Sequence, residues 1–491
     1  MFTLRWQYSF NVMVGMNVAI NSDVHMRHRE CRKMEKKKYH FIGIGGIGMS
    51  ALAQILVEQG FEVSGSDVVK SGRACELERL GATIKVGHAA NNINGAEVAI
   101  VSSAISINNP EVKAAIRRGI PILHRSELLS LLMKQKKGVA VSGTHGKTTT
   151  TSMISLMFER AGLDPTVVIG GVMEQFKSNA KLGKGDYLVA EADESDGSLV
   201  RLTPHIAVVT NVEADHMDYY SDVAQIRATF AKFLDSLPED GLAVMCTDDH
   251  NVHKLAEDYK GRMLTYGLTN GAHLKAVKIE HSGMGADFMV TNRGLDVARF
   301  RLNVPGVHNI YNSLATIGLG LELGIEIDTI RKSLAEFKGA NRRFQIISNH
   351  GGMVVVDDYA HHPTEIMATL SAARKIHRNG KIISVFQPHR FSRTQYFFDL
   401  YGKSFFNSDM VIVTDIYAAG EKPIPEVNGE LLATTLKKYG HKGVVYIPDI
   451  KDVPSFIDRT ATSEDFVITL GAGDVWKVAY SVSDSLKEKT A

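Results

Sequence analysis

Short apolar runs recur along the chain. Each ends in small or charged residues, and most lead into a stretch of helical composition. Tyr39 to Ile44 is the first; Met49 to Gln59 then reads as a helix, and Asp67 closes the next run. VAIVSSAIS follows, with Ser102 and Ser103 at its end, and this unit finishes near Lys134. A second unit opens with Gly138 to Ser142, passes through GTHGK and enters a helical stretch from Thr148 to Arg160. Within it, DYLVAEADESD is apolar up to Ala190 and HIAVVTNVEADHMDYY up to Val209. From Phe344 onward four more runs end in polar loops: MVVVDDYAHHPTE, KIISVFQPHRFSRT, MVIVTDIYAAGEKPI and DFVITLGAGDVW. Continuous apolar strands alternating with helices predict parallel sheets covered on both faces, an α/β architecture. The expected units are 36–134, 135–338 and 339–491, while Asp248 to Arg301 carries no motif. Residues 1–35 read as a disordered extension. Their apolar run Phe10 to Ile20 is broken by Asn11 and Asn17, has no small-x-small cleavage pattern after it, and leads into the basic block MRHRECRKMEKKK.

The loops carry the chemistry. Gly43, Gly45 and Gly48 give G-x-G-x-x-G between a strand and a helix, which lets a pyrophosphate approach the helix N-terminus. SGTHGKTTTT lacks the first glycine of the common phosphate-loop spacing, because Val141 stands there, but it has the strand–loop–helix context. Backbone N–H groups would bind phosphate, Lys147 would neutralise its charge, and Thr148 could reach a magnesium ion. Glu191, Asp193, Glu194 and Asp196 end one neighbouring strand; Asn211, Glu213, Asp215, His216 and Asp218 end another. They offer the hard oxygens that magnesium prefers, with His216 as a further ligand. Asn309 and Asn312 lie three apart on one helical face, where amides can pair with a purine edge or cap the helix. In an open parallel sheet ligands lie beyond the carboxyl ends of the strands. Asp358, Tyr359, His361, His362, His389, Arg390, Arg393, Asp415 and Asp474 are therefore expected around one crevice.

Composition narrows the partners. With 491 residues, 44% apolar, 22% charged and a net charge of +2, the chain is an ordinary soluble class with room for three domains and no charge bias toward nucleic acid. Cys31, Cys75 and Cys246 form neither a zinc pattern nor a disulfide framework, and no apolar run is long enough to span a membrane, so a cytoplasmic location is expected.

Taken in order, GIGGIGMSALA, GTHGKTTTT, AEADESDGS, NVEADHMDYY, PGVHNIYN, NRRF, DDYAHHPTE, PHRFSRT and GAGDVW resemble the Mur ligase family from about Tyr39 to the C-terminus. Its phosphate loop is the shorter G-T-x-G-K-T form, so Val141 belongs to a strand. The resemblance implies an N-terminal Rossmann-like domain for a UDP-sugar, a central P-loop ATPase-like domain and a C-terminal Rossmann-like domain for an amino acid. It implies that ATP phosphorylates the lactyl carboxylate of UDP-N-acetylmuramate and that L-alanine attacks the acyl phosphate. By the same resemblance Gly45, Gly46, Gly48, Asp67, Ser102 and Ser103 face the UDP-sugar. Gly143, Thr144, His145, Gly146, Lys147, Thr148, Thr149, Asn309, Asn312, Arg343 and Asp358 face ATP. Thr148, Glu191 and His216 hold magnesium, for which manganese can substitute. Tyr359, His361, His389, Arg390 and Arg393 surround L-alanine, and Lys147, Arg343, His361 and His389 carry the catalysis. Small-molecule substrates and a monomer or weak homodimer are expected, with neither nucleic acid nor membrane as partner.

Three readings compete with this one. A nicotinamide oxidoreductase would use Gly43 to Gly48 and Asp67 but leave Lys147, Glu191 and His216 idle. A non-enzymatic nucleotide switch would leave Tyr359 to Arg393 unexplained. Inside the family, the competitor is the ligase that recycles a tripeptide onto the same UDP-sugar; AEADESDGS favours the alanine enzyme.

Overall fold

The computed structural model describes residues 37–173, 176–269, 271–350 and 352–490. The expected extension 1–35 lies outside the described residues. The apolar runs become strands of three sheets. The first contains β1 (Lys38–Ile42), β2 (Glu62–Asp67), β3 (Thr83–Val86), β4 (Val98–Val101) and β5 (Ile122–His124), in the all-parallel order β3-β2-β1-β4-β5. That order is the Rossmann-like arrangement, and its glycine-rich turn follows the central strand β1.

The second sheet is built from β6 (Lys137–Ser142), β7 (Thr166–Met173), β8 (Ser178–Lys181), β9 (Tyr187–Glu191), β10 (Ile206–Val209), β11 (Leu242–Cys246), β12 (Met263–Gly267), β13 (Leu274–Ser282), β14 (Gly285–Asn292) and β15 (Leu295–Leu302). Its order is β15-β14-β13-β12-β11-β10-β6-β9-β7-β8. The phosphate-loop strand β6 lies between β9 and β10, parallel to both. Val141 is wholly buried in β6. The motif-free stretch supplies the antiparallel ribbon β13–β15, which widens this sheet.

The third sheet has β16 (Gln345–His350), β17 (Met353–Asp358), β18 (Ile382–Phe386), β19 (Met410–Val413), β20 (Val444–Tyr446) and β21 (Phe466–Leu470), ordered β16-β17-β21-β18-β19-β20. All its pairings are parallel except that of the edge strand β16.

Packing divides the molecule unevenly. One apolar core runs from Phe41 of the first sheet, Ile44 in the turn after it and Leu52 of the following helix into Ala140 and Leu188 of the second sheet and Phe230 of helix Val223–Leu234. Helix Ile47–Glu58 joins them further: Asn179 donates to the Ile47 carbonyl at 2.7 Å and Gln54 accepts from Ser178 at 3.1 Å. The third sheet has separate cores on its two faces. Its contacts with the second at the carboxyl ends of the strands are largely polar. No helix among the described residues is long and apolar enough to cross a membrane.

Candidate functional site

The phosphate loop is held open by glycine. Gly143 sits at φ +132° with Thr210 Oγ1 where a Cβ would stand, and Gly146 at φ +85° with Asn312 Oδ1 only 2.6 Å from such an atom. Neither position accommodates a side chain. Asn211 and Thr210, at the end of β10, brace the loop. Asn211 Oδ1 accepts from the His145 N–H at 2.8 Å, and Thr210 Oγ1 donates to the His145 carbonyl at 2.6 Å. Helix Lys147–Arg160 begins at the loop, so its first N–H groups point toward the space a phosphate would take.

Lys147 reaches Glu194, with both carboxylate oxygens at 2.8 Å, and also donates to the Gly143 carbonyl at 2.5 Å. Burial disfavours its charge, but Glu194 and Asp193 outweigh that and hold the ammonium above the usual lysine range. Glu191 accepts from Thr148 Oγ1 at 3.2 Å and from the Gly170 N–H at 2.6 Å, while burial raises its carboxyl above the usual range. A half-buried carboxylate beside a helix-start hydroxyl is an oxygen donor set suited to magnesium. His216 stands in the left-handed region at φ +54°, with its Nε2 3.8 Å from Glu194 and 3.6 Å from Asp215. A non-glycine residue in that region is uncommon and marks functional sites more often than chance.

A 270 Å³ cavity lies where the second and third sheets meet. His145, Gly146, Thr149, Asn309, Asn312, Arg343 and Asp358 line it. Asn309 donates to the Pro305 carbonyl at 2.6 Å and accepts from Asn312 at 3.1 Å, so the two amides orient each other. Sequence put Arg343 of NRRF at this wall, and its neighbour points elsewhere. Arg342 is spent inside the third sheet, on Asp357 at 2.8 Å and on the Gly471 and Gly473 carbonyls at 2.6 and 3.1 Å. Arg343 faces the cavity, 3.6 Å from Glu365. Burial pushes the Asp358 carboxyl up to about 6, with Arg343 only partly offsetting it.

Arg390 and Arg393 do not stand as an open fork. Arg393 grips Asp215 at 2.9 Å with both side chains under a tenth exposed, and Arg390 reaches Asp218 at 3.2 Å. Both carboxylates were expected among the metal-side oxygens; here they hold the third sheet to the second. Arg393 also donates to His389 Nδ1 at 3.1 Å, and His389 stacks on Tyr417 with ring centroids 5.7 Å apart. His361 Nδ1 donates to the Tyr359 carbonyl at 2.9 Å. Burial lowers His361 to about 4, helped by Arg393, and lowers His389 to about 2, helped by His361. Both imidazoles are neutral at neutral pH.

The polar loops of the third sheet serve three crevices instead of one: Asp358 lines the junction cavity, while Arg390 and Arg393 line another with Asp215, His216 and Asp218. Asp415 and Asp474 line a separate 740 Å³ cavity with Tyr417, Asp449 and Lys477, and Asp415 accepts from Tyr446 at 2.5 Å. In the first sheet Asp67 accepts from the Gly45 N–H at 2.8 Å. A Cβ on Gly45 would lie 2.9 Å from that carboxylate, and one on Gly48 3.2 Å from Arg125; Gly46 has backbone at 3.4 Å. Ser102 begins the turn after β4, its carbonyl accepting from Ile105 at 3.0 Å. Ser103 bonds His124 Nε2 at 3.0 Å and Asp196 of the second sheet. Arg125 joins the same two sheets through Asp193 at 2.6 Å.

Sequence reasoning overlooked Glu365, and with it the contact that joins His145, Glu213 and His362, which it named only singly. His145, Glu213 and His362 gather their ligand atoms within 4.8 Å of one another. Both His362 nitrogens are engaged, Nδ1 by the Thr364 N–H at 3.2 Å and Nε2 by the Ala214 carbonyl at 3.1 Å. The cluster is thus a hydrogen-bonded network more than a set of free ligands. The available signal was His362-Pro363-Thr364-Glu365, a helix start with glutamate three residues on.

Three family models match in succession: "Mur ligase family, catalytic domain" over 38–137, "Mur ligase middle domain" over 141–320, and "Mur ligase, glutamate ligase domain" over 342–473. The UDP-N-acetylmuramate–L-alanine ligase of Desulfatibacillum aliphaticivorans is 47% identical over 450 residues, 91% of this chain and 99% of that one. The crystal structure of UDP-N-acetylmuramate-alanine ligase MurC from Thermotoga maritima is 30% identical and superposes with a TM-score of 0.80, covering 92% of this chain and 100% of the other. A murein peptide ligase from Psychrobacter arcticus, 22% identical over 92% of this chain and 98% of its own, shares the fold with a TM-score of 0.68. With the three family models falling in succession on its three sheets and a phosphate loop at the junction of the second and third, the chain belongs to the Mur ligase family.

Proposed function

We propose that this protein is an ATP-dependent ligase that joins L-alanine to the lactyl carboxylate of UDP-N-acetylmuramate, releasing ADP and phosphate, in peptidoglycan precursor synthesis. The observation that carries the reading is the match at 47% identity to an enzyme of that name over 99% of its length. Residues 36–134 would bind the UDP-sugar through Gly45, Gly46, Gly48, Asp67, Ser102 and Ser103. Residues 135–338 would bind ATP, with Asn309 and Asn312 at the adenine. Residues 339–491 would bind L-alanine among Tyr359, His361, His389, Arg390 and Arg393.

A carboxylate is a poor electrophile, and phosphorylation supplies it with a leaving group. Lys147 and Arg343 reach the same junction from opposite domains, so each can steady charge that develops on the transferred phosphoryl group. Magnesium, or manganese in its place, would be held by Thr148, Glu191 and His216 and would neutralise phosphate charge when bound. The amine must lose a proton before it attacks. Neutral His361, whose Nδ1 donates to the Tyr359 carbonyl, can accept a hydrogen bond from it at Nε2. His389, which accepts from Arg393 at Nδ1, keeps its proton on Nε2 as a donor, and Arg390 and Arg393 beside them disfavour the cationic amine. Closure of the third domain excludes water, which would hydrolyse the acyl phosphate. The protein would work in the cytoplasm as a monomer or weak homodimer.

Phosphate release with ATP and UDP-N-acetylmuramate, supplying amino acids in turn, tests the reading. L-Alanine should be the best substrate. Glycine should follow at a disadvantage of about 1–3 kcal/mol for the missing methyl. A preference for L-Ala-D-Glu-diaminopimelate would move the protein to the recycling branch of the family.

A further inference from the structure

Glu365 is the third residue of helix Pro363–Ile376, where its carboxylate completes a capping box. Oε2 accepts from the His361 and His362 N–H groups at 3.1 and 3.3 Å. Capping uses that one oxygen. Oε1 points out of its own domain and accepts from His145 Nδ1, in the phosphate loop, at 3.1 Å. The other His145 nitrogen lies 3.5 Å from Glu213, and Glu213 accepts from Thr364 Oγ1 at 2.6 Å. Residues 145 and 213 of the second sheet and 364 and 365 of the third thus close a ring across the domain junction.

His145 is placed to transmit this contact. Its backbone is fixed on both sides, by Asn211 at the N–H and Thr210 at the carbonyl, and it adjoins Gly146, where the phosphate-loop helix begins. A pull on its ring therefore acts on the loop peptides. Burial opposes charge on His145, but Glu365 and Glu213 push it up to about 9, so the contact is an ion pair at neutral pH. The His362 ring, 4.6 Å away, and Arg343 beside Glu365 complete its charged surroundings.

We propose that Glu365 and His145 form a latch through which docking of the C-terminal domain sets the phosphate loop, so that ATP is turned over only when the amino-acid-binding domain is seated. Both act as positioning residues, and the inference rests on the ligase reading above. Its consequence is economy of the acyl phosphate: phosphoryl transfer waits for the domain that brings the amine.

A double-mutant cycle tests this. Glutamine can replace glutamate in a capping box, so Glu365→Gln keeps the cap and loses the charge that faces both His145 and Arg343; the cycle with His145→Asn isolates the share that acts through His145. Glu365→Gln and His145→Asn should each lower the ligation kcat by up to about 10²-fold, as small misplacements of reacting groups do. The KM for UDP-N-acetylmuramate, bound by the other end of the molecule, should stay unchanged. The double variant should be no slower than the slower single variant, and ADP formed per ligated product should rise in all three. Losses that multiply in the double variant, or wild-type kcat in either single one, would overturn the latch. Wild-type protein run alongside separates the two levels. Ligation by it with multiplying losses removes the latch alone, whereas no ligation removes the ligase reading and the latch with it.

Discussion

Lys147 and Glu194 meet at 2.8 Å in a site that hides Glu194 almost completely, which fixes the ammonium beside the phosphate loop, where the proposed reaction would need a cation. Lys147→Ala should cost at least about 3 kcal/mol of transition-state stabilisation, the scale of losing one preorganised donor, measured as kcat for ADP formation. Gly143→Ala should be as damaging for a different reason. At φ +132° and against Thr210, a methyl group forces the loop to move, and ATP-dependent turnover should vanish while the protein stays folded by circular dichroism. These residues were legible because their chemistry is local: glycine, lysine and threonine at fixed spacing beside an apolar strand. Glu191 was legible for the same reason, standing at the end of one. The pairing of Arg393 with Asp215 was not, since the two lie 178 residues apart and nothing in either neighbourhood names the other. The same holds for His145 and Glu365, separated by 220 residues.

At the scale of elements, the buried strands were readable because each is apolar on both faces, as strands under two helical layers must be. The ribbon β13–β15 escaped notice because its strands alternate charged and apolar residues and lie at a sheet edge, as in LKAVKIEHS. The edge strands β16 and β20 are similarly half-polar or short. A buried polar network in the first sheet was also unread. Glu111, wholly buried, accepts from Ser66 at 2.6 Å and Asn92 at 2.7 Å and meets His40 at 3.1 Å, tying helix Pro110–Arg118 to β1 and β2. Burial raises its carboxyl, but these hydrogen bonds win and hold it down to about 2. A depressed carboxyl stabilises the fold above its unfolded value, about 4.3, and that stability disappears as pH falls toward 2. Glu111→Ala should therefore destabilise the protein by about 3–5 kcal/mol at neutral pH in urea unfolding, by leaving buried partners unpaired. The loss should shrink on acidification through that window.

At the scale of the whole molecule, the first two sheets share one apolar core while the third is joined at the site by ion pairs and hydrogen bonds. Polar junctions of this kind open at low cost, as a ligase needs to admit three substrates and then shut out water. Asp215→Asn should cost about 2–5 kcal/mol of docking, because Arg393 is left buried without its charge partner. Small-angle scattering should then show a larger radius of gyration, and the KM for L-alanine should rise far more than that for ATP. The three-sheet plan was legible from the order of motifs; the pairing across the junction came only with the structure. The central claim is that the lactyl carboxylate is activated by phosphorylation and then taken by L-alanine. It is tested most directly by supplying UDP-N-acetylmuramate labelled with heavy oxygen in that carboxylate, together with ATP and L-alanine, and weighing the phosphate released. The account predicts alanine-dependent phosphate carrying one labelled oxygen. Unlabelled phosphate, or release indifferent to alanine, would contradict it.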